Sequence, residues 1–280
     1  HQSFRPLLGV SFASGAPAVY LAGRLAFRCG GPAAYLAATL WALGSLNQWL
    51  AGMGLAGHAA TFVLLPLALA LTVVAAERRT VRTVIGAAMG ISGMLLCFYT
   101  GALLVWSVLT AAVLAPLVWT RRRWWRAQAA TAAWLAAGVL VFALVGHLRF
   151  LATVPLYQSA GFSRGWGASG YVALPEMLGL HFNGMVAFGA PPVLLFGEPW
   201  HYMLMPLQAV MGMVGVAAAV LAVALPGWHR ARYAAALASV LLLLAVLRWV
   251  APYPYGHLKV TSLAAFVLVI GVAHAAVRLW

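Results

Sequence analysis

The chain has 280 residues, of which 65% are hydrophobic and only 7% are charged. A soluble domain of this length neither needs so much apolar surface nor has so few charges, so the composition excludes an ordinary soluble protein. The net charge of +14 does not indicate nucleic-acid binding, because most arginines lie at the ends of apolar segments and no soluble domain with a basic face is visible.

Apolar segments in chain order predict an all-α fold, a polytopic transmembrane helix bundle of about nine spans. Numbered one to nine in chain order, the predicted spans lie at about residues 7–27, 33–52 and 58–76, then two within residues 83–119, then 128–148, 203–225, 233–250 and 258–279. The run 83–119 is about twice the ~20 residues that one membrane-crossing helix needs. It breaks best near Phe98-Tyr99-Thr100-Gly101, which predicts two closely coupled spans.

The basic residues are distributed unevenly between the two ends of these spans. Twelve of the 17 follow odd-numbered spans, and the other five lie on the opposite side. The twelve are Arg24, Arg28, Arg78, Arg79, Arg82, Arg121, Arg122, Arg123, Arg126, Arg230, Arg232 and Arg278. Since positive charge near span ends marks the cytoplasmic face, this split predicts the orientation and places residues 149–202 outside.

Three regions follow from this layout. Residues 1–148 are predicted to form N-terminal transmembrane helices, and residues 203–280 C-terminal transmembrane helices. Residues 149–202 are rich in Gly, Pro, Trp and Phe, which is too apolar for a freely solvated loop. We expect this extracytoplasmic region to form short helices that lie along the outer membrane face.

A first candidate site lies at the outer junction of the last two spans. It contains the chain's only lysine, an arginine, a histidine and two tyrosines, namely Arg248, Tyr253, Tyr255, His257 and Lys259. Cations and phenolic donors suit the phosphate of a lipid, so we interpret these residues as substrate-binding. The alternative is ordinary anchoring at the membrane interface by aromatic and snorkelling basic side chains.

A second candidate group lies in or next to the outer region. Glu176, Glu198 and His201, with His181 nearby, could act as acid and base. Their spacing matches no metal motif, so we predict no metal site. The alternative is a set of scattered polar residues on a wet surface. The sequence identifies no cofactor.

Three stretches resemble GT-C type glycosyltransferases, the polytopic membrane enzymes that use lipid-phosphate sugars. They are the block Asn47–Leu71, the link Phe98-Tyr99-Thr100, and the ending Tyr253–Leu263 with its aromatic, lysine and serine residues. The resemblance implies an enzyme of the cell inner membrane that moves a sugar from a polyprenyl-phosphate donor to an extracytoplasmic acceptor. It also implies that Arg248, Tyr253, Tyr255 and Lys259 hold the donor phosphate.

One departure from that family concerns its catalytic acidic residue, usually Asp, in the first extracytoplasmic loop. This chain contains no Asp, so either that loop precedes His1, where we expect missing sequence, or the protein is an inactive relative. Two other functions stay open: a non-catalytic accessory subunit with partner subunits in a larger membrane complex, and a transporter. A transporter is disfavoured by the near absence of acidic residues in the spans. The sequence indicates neither the substrate and acceptor nor the oligomeric state.

Overall fold

The computed structural model describes residues 4–43, 56–97, 99–120, 125–159 and 200–280. This described part of the chain is helical and contains no β-strand, which confirms the all-α prediction for it. The helices are α1 Phe4–Leu21, α2 Gly31–Leu43, α3 Ala56–Arg78, α4 Val81–Cys97, α5 Tyr99–Thr120, α6 Trp125–Ser159, α7 Trp200–Leu221, α8 Arg230–Ala245 and α9 Pro254–Leu279. Short π-helical segments extend α1 through Ala22–Ala26 and α8 through Val246–Val250.

The helix boundaries agree with the apolar pattern at most places. Within the long apolar run, α4 is described up to Cys97 and α5 from Tyr99, and the residue between them, where the break was predicted, lies outside the described residues. The sixth span was predicted to end at residue 148, but α6 continues to Ser159. Gly146 and Pro155 both lie within α6 and do not end it, and its membrane-length apolar stretch is Arg126–Leu144.

Among the residues that the structure describes, four helical stretches are long and apolar enough to cross a membrane. They are Ala102–Trp119, Arg126–Leu144, Arg230–Val250 and Lys259–Leu279. A bundle with several such helices is typical of a membrane protein, because only there can long apolar helices cover their surface with lipid.

The last helix, α9, lies at the centre of the bundle. Of residues Lys259–Leu279, 83% are buried, against 11% of Arg126–Leu144 in α6. Helix α9 packs against α2, α5, α7 and α8, whereas α6 packs mainly against α4. Helix α6 therefore lies at the periphery, with large apolar side chains such as Trp134 and Val141 exposed.

Small residues allow α9 to approach its neighbours closely. A Cβ added at Gly271 would lie 1.9 Å from the hydroxyl oxygen of Tyr233. Tyr233 is fully buried and donates its hydroxyl hydrogen to the carbonyl of Ala219 in α7, at 3.1 Å. Gly271 thus permits a contact that ties α7, α8 and α9 together, as small residues do in membrane bundles.

Candidate functional site

The predicted phosphate-binding residues lie where α8 ends and α9 begins. Arg248 belongs to the π-helical segment and is exposed, with its guanidinium carbon 5.5 Å from the ring centroid of Trp249. Tyr253 is half exposed, and its backbone N–H donates to the carbonyl of Leu247 at 2.9 Å. That bond holds the connection between the two helices in a compact turn.

Two further features fix Tyr253 and His257 in this turn. A Cβ added at Gly256 would lie 2.2 Å from the ring of Tyr253, so the ring packs directly over the glycine. The backbone N–H of His257 donates to the carbonyl of Tyr253 at 2.9 Å. The phenol is therefore held at the start of α9 rather than displayed on a loose loop.

His257 is the buried member of the group. It is 4% exposed, and its Nδ1 lies 3.4 Å from the hydroxyl oxygen of Thr261. Burial lowers the pKa of His257 below its ordinary value, and the positive charge of Arg248 lowers it further. Arg248 is thus close enough to act on His257, and the imidazole is neutral at pH 7.

Lys259 lies two residues after His257 in α9, about half a turn further on. It is partly buried, and its carbonyl accepts a hydrogen bond from the Ser262 hydroxyl at 2.8 Å. Arg248, Tyr253, His257 and Lys259 therefore all belong to the end of α8, the turn that follows it or the first turns of α9. Tyr255 belongs to α9, but its side chain lies outside the described part of the chain.

The second candidate group is not described. Glu176, His181 and Glu198 lie outside the described residues, as does the side chain of His201, whose backbone belongs to α7. Within the described ranges, no group of three or more His, Cys, Asp or Glu side chains could hold a metal ion.

A charge cluster that the sequence analysis did not single out lies at the other end of the bundle. The carboxylate of Glu77, at the end of α3, pairs with Arg28 and with Arg232. Arg232 lies 2.8 Å from Glu77, and its side chain is 5% exposed, whereas that of Arg28 is 50% exposed. Arg232 also donates to the carbonyl of Ala26 at 3.2 Å, so it joins α8 to both α3 and the end of the first span.

The charge state of Glu77 follows from these contacts. Burial alone would raise the pKa of Glu77, but the hydrogen bonds and charges of Arg232 and Arg28 hold it below its ordinary value. The carboxylate is therefore ionised at neutral pH. Because both of its oxygens are engaged by arginines, it is poorly suited to act as a catalytic acid or base.

An aromatic layer lies beside this cluster. The ring of Trp228 stacks on His274 at 4.1 Å and lies 4.4 Å from Tyr233. A ring nitrogen of His274 lies 3.2 Å from the carbonyl oxygen of Pro226. His274 lies within the ninth predicted span, and these contacts are those of a structural polar residue.

The two groups lie at opposite ends of the last two helices. Arg232 and Arg248 are 16 residues apart, which corresponds to ~24 Å along a helix. The guanidinium of Arg278, at the end of α9, lies beside Gly227, on the same side as Arg232. The structure therefore gathers basic residues from the ends of the first, third, seventh and ninth predicted spans at one end of the bundle.

Comparisons with protein-family models, with curated proteins and with solved structures found no match to this chain. No relative therefore supplies a role for Arg248, Lys259 or their neighbours, and their roles are inferred from the chemistry of the side chains.

Proposed function

We propose that the protein is a multi-pass inner-membrane protein that binds a phosphate-bearing lipid where α8 meets α9. The resemblance to GT-C glycosyltransferases makes a polyprenyl-phosphate sugar the proposed ligand and sugar transfer to an extracytoplasmic acceptor the proposed reaction. The nine-span topology, with residues 149–202 outside, belongs to this proposal. One observation carries it: Arg248, Tyr253 and Lys259 lie at a single helix junction, ~24 Å from the Glu77 cluster.

The chemistry of the junction suits a phosphate. Two cations can neutralise the phosphate charge, and the phenol of Tyr253 can donate a hydrogen bond to a phosphate oxygen. A neutral, buried His257 adds no further charge at pH 7. In this arrangement the side chains hold the donor, while an acid or base for the transfer would have to come from Glu176, Glu198 or His201.

A second candidate function is that of a non-catalytic accessory subunit. The scarcity of acidic residues that could act in catalysis favours this function, because the chain contains no Asp and Glu77 is bound by two arginines. An accessory subunit with the same junction would still bind the lipid phosphate but would not turn the donor over.

The test measures binding of a polyprenyl monophosphate to the purified full chain in phosphatidylcholine nanodiscs. We expect Lys259→Ala to weaken binding about tenfold to a hundredfold, as the loss of a charge-assisted contact of ~1.5–3 kcal/mol would do. Lys259→Arg should restore most of the binding, and Arg230→Ala at the opposite end is the matched control. Equal binding by Lys259→Ala and the unchanged protein would overturn the proposal.

A second measurement separates the two functions. The unchanged protein is supplied with a polyprenyl-phosphate sugar, and release of the free polyprenyl phosphate is followed. Turnover that Lys259→Ala reduces supports the enzyme. Binding without turnover, in a chain that includes any sequence preceding His1, favours the accessory subunit.

A further inference from the structure

A long apolar groove runs between α4 and α6 at the periphery of the bundle. Its volume is about 760 Å³, within the ~300–1,000 Å³ of pockets that hold small molecules. Along α6 it extends from Ala127 to Phe142, which corresponds to ~22 Å of helix. Since each leaflet contributes about half of the ~30 Å hydrocarbon core, this length is sufficient for an acyl chain of one leaflet.

The walls of the groove are apolar except near one end. Alanine, valine and aromatic side chains, including Trp134 and Val141, form most of the lining. The helices meet closely where a Cβ added at Gly138 would lie 2.8 Å from that of Ala88. Among the described residues that line the groove, Arg79 has the only charged side chain.

The surroundings of Arg79 are basic. A second cavity next to the groove is lined by Arg78, Thr80, Val81, Arg82 and Thr83, and shares Val81 with it. This is the bundle end that also carries Arg28 and Arg232. The groove therefore combines an apolar trough with a cationic mouth, which complements an anionic headgroup joined to an acyl chain.

The backbone of Arg79 provides an independent observation. Arg79 follows the last residue of α3 with φ of +54°, a left-handed conformation in which its N–H donates to the carbonyl of Ala75 at 2.9 Å. Glycine is the usual residue at this position after a helix, because a side chain there is disfavoured. An arginine in this conformation carries a conformational cost, as does Arg28, which has a φ of +58° at the same end of the bundle.

We propose that the groove between α4 and α6 binds an anionic phospholipid, with an acyl chain along α6 and the phosphate at Arg79 and Arg82. The site lies at the end of the bundle opposite the α8–α9 junction, so it is distinct from the proposed donor site. It ties the peripheral helix α6 to the connection between α3 and α4.

The test uses the purified full chain and compares phosphatidylglycerol with phosphatidylcholine, counting bound lipids by native mass spectrometry. We expect the protein to retain phosphatidylglycerol preferentially and Arg79→Gly to reduce that preference about tenfold, as the loss of one charge-assisted contact would. Glycerol phosphate, which lacks acyl chains, should not compete at equal concentration.

A pair of variants on α6 tests the groove itself. Ala130 lines the groove and Ala133 does not, and both are exposed. Ala130→Trp fills the trough and should reduce binding of phosphatidylglycerol at least tenfold, while Ala133→Trp on the neighbouring face should leave it unchanged. Equal binding by these two variants would overturn the proposal.

Two further outcomes would also overturn it. If Arg230→Gln, which removes a charge at the same end, reduces the preference as much as Arg79→Gly, the attraction is diffuse surface charge. If Arg79→Gly lowers the melting temperature in lipid-free detergent, the arginine is structural. We expect that melting temperature to be unchanged or higher, because glycine relieves the left-handed backbone.

Discussion

At the scale of single residues, Arg232 and Arg28 share one carboxylate but differ greatly in burial. The side chain of Arg232 is 5% exposed and that of Arg28 is 50% exposed. Removing Arg232 leaves Glu77 with only the half-exposed Arg28 and takes a donor from the Ala26 carbonyl, so the loss should approach the ~3–5 kcal/mol of breaking a buried ion pair. An exposed pair contributes only ~0–1 kcal/mol. The Arg232–Glu77 contact therefore provides most of the cluster's contribution to the free energy of unfolding.

We predict that Arg232→Ala lowers the free energy of unfolding by ~3–5 kcal/mol and that Arg28→Ala lowers it by ~1 kcal/mol or less. Unfolding of the two variants in mixed detergent micelles measures both values. A similar loss for both variants would show that the pairs contribute equally and that burial does not decide their strength.

A second prediction at this scale concerns His257 and pH. Its pKa is lowered in the folded protein, by burial and by Arg248, so below the ordinary value of 6.5 the unfolded chain binds the proton more readily. Stability should therefore fall as the pH drops below 6.5 towards the lower folded pKa. His257→Gln should show a smaller loss of melting temperature between pH 7 and 5. Parallel curves for the two proteins would contradict this.

The Glu77 cluster is a part of the structure that could not be predicted from the sequence. Glu77 is 49 residues from Arg28 and 155 residues from Arg232, so no local spacing connects them. A signal did exist: Glu77 is the only acidic residue among the basic ends of the spans. In contrast, Arg248, Tyr253, His257 and Lys259 are close in sequence, and their grouping follows from a tight turn between two spans.

At the scale of helices, apolar run length predicted the elements well because a membrane-crossing helix needs ~20 apolar residues. The prediction of two spans within residues 83–119 follows from that length. The arrangement of the helices around α9 was not predictable, because α9 is apolar over most of its circumference and its pattern does not distinguish protein neighbours from lipid.

Substitution of two glycines by alanine, Gly271 in α9 and Gly86 in α4, should change the free energy of unfolding in opposite directions. Gly271→Ala would place a Cβ 1.9 Å from the hydroxyl oxygen of Tyr233, and we expect a loss of ~1–3 kcal/mol in the free energy of unfolding. Gly86, inside α4, has no such neighbour within 4 Å, so Gly86→Ala should add ~0.5–1 kcal/mol through helix propensity. Destabilisation by both variants to the same degree would contradict the proposed contact.

At the scale of the whole molecule, the charge split predicts a single orientation in the membrane. Val81 and Val250 are exposed and belong to opposite ends of the bundle. In a variant with Cys29 and Cys97 replaced by Ala, Val81→Cys should react with an impermeant thiol reagent only from the cytoplasmic side. Val250→Cys should react only from the outer side. Labelling of both positions from the same side would refute the topology.

The contact between Glu77 and Arg232 also has a consequence for biogenesis. Glu77 leaves the ribosome 155 residues before its buried partner, an interval of ~8–30 s at ~5–20 residues per second. During that time, of its two arginine partners in the described structure, only the half-exposed Arg28 has been synthesised. The early spans therefore enter the membrane before Arg232 of α8 has been synthesised. Their packing can be completed only late in the synthesis of the chain.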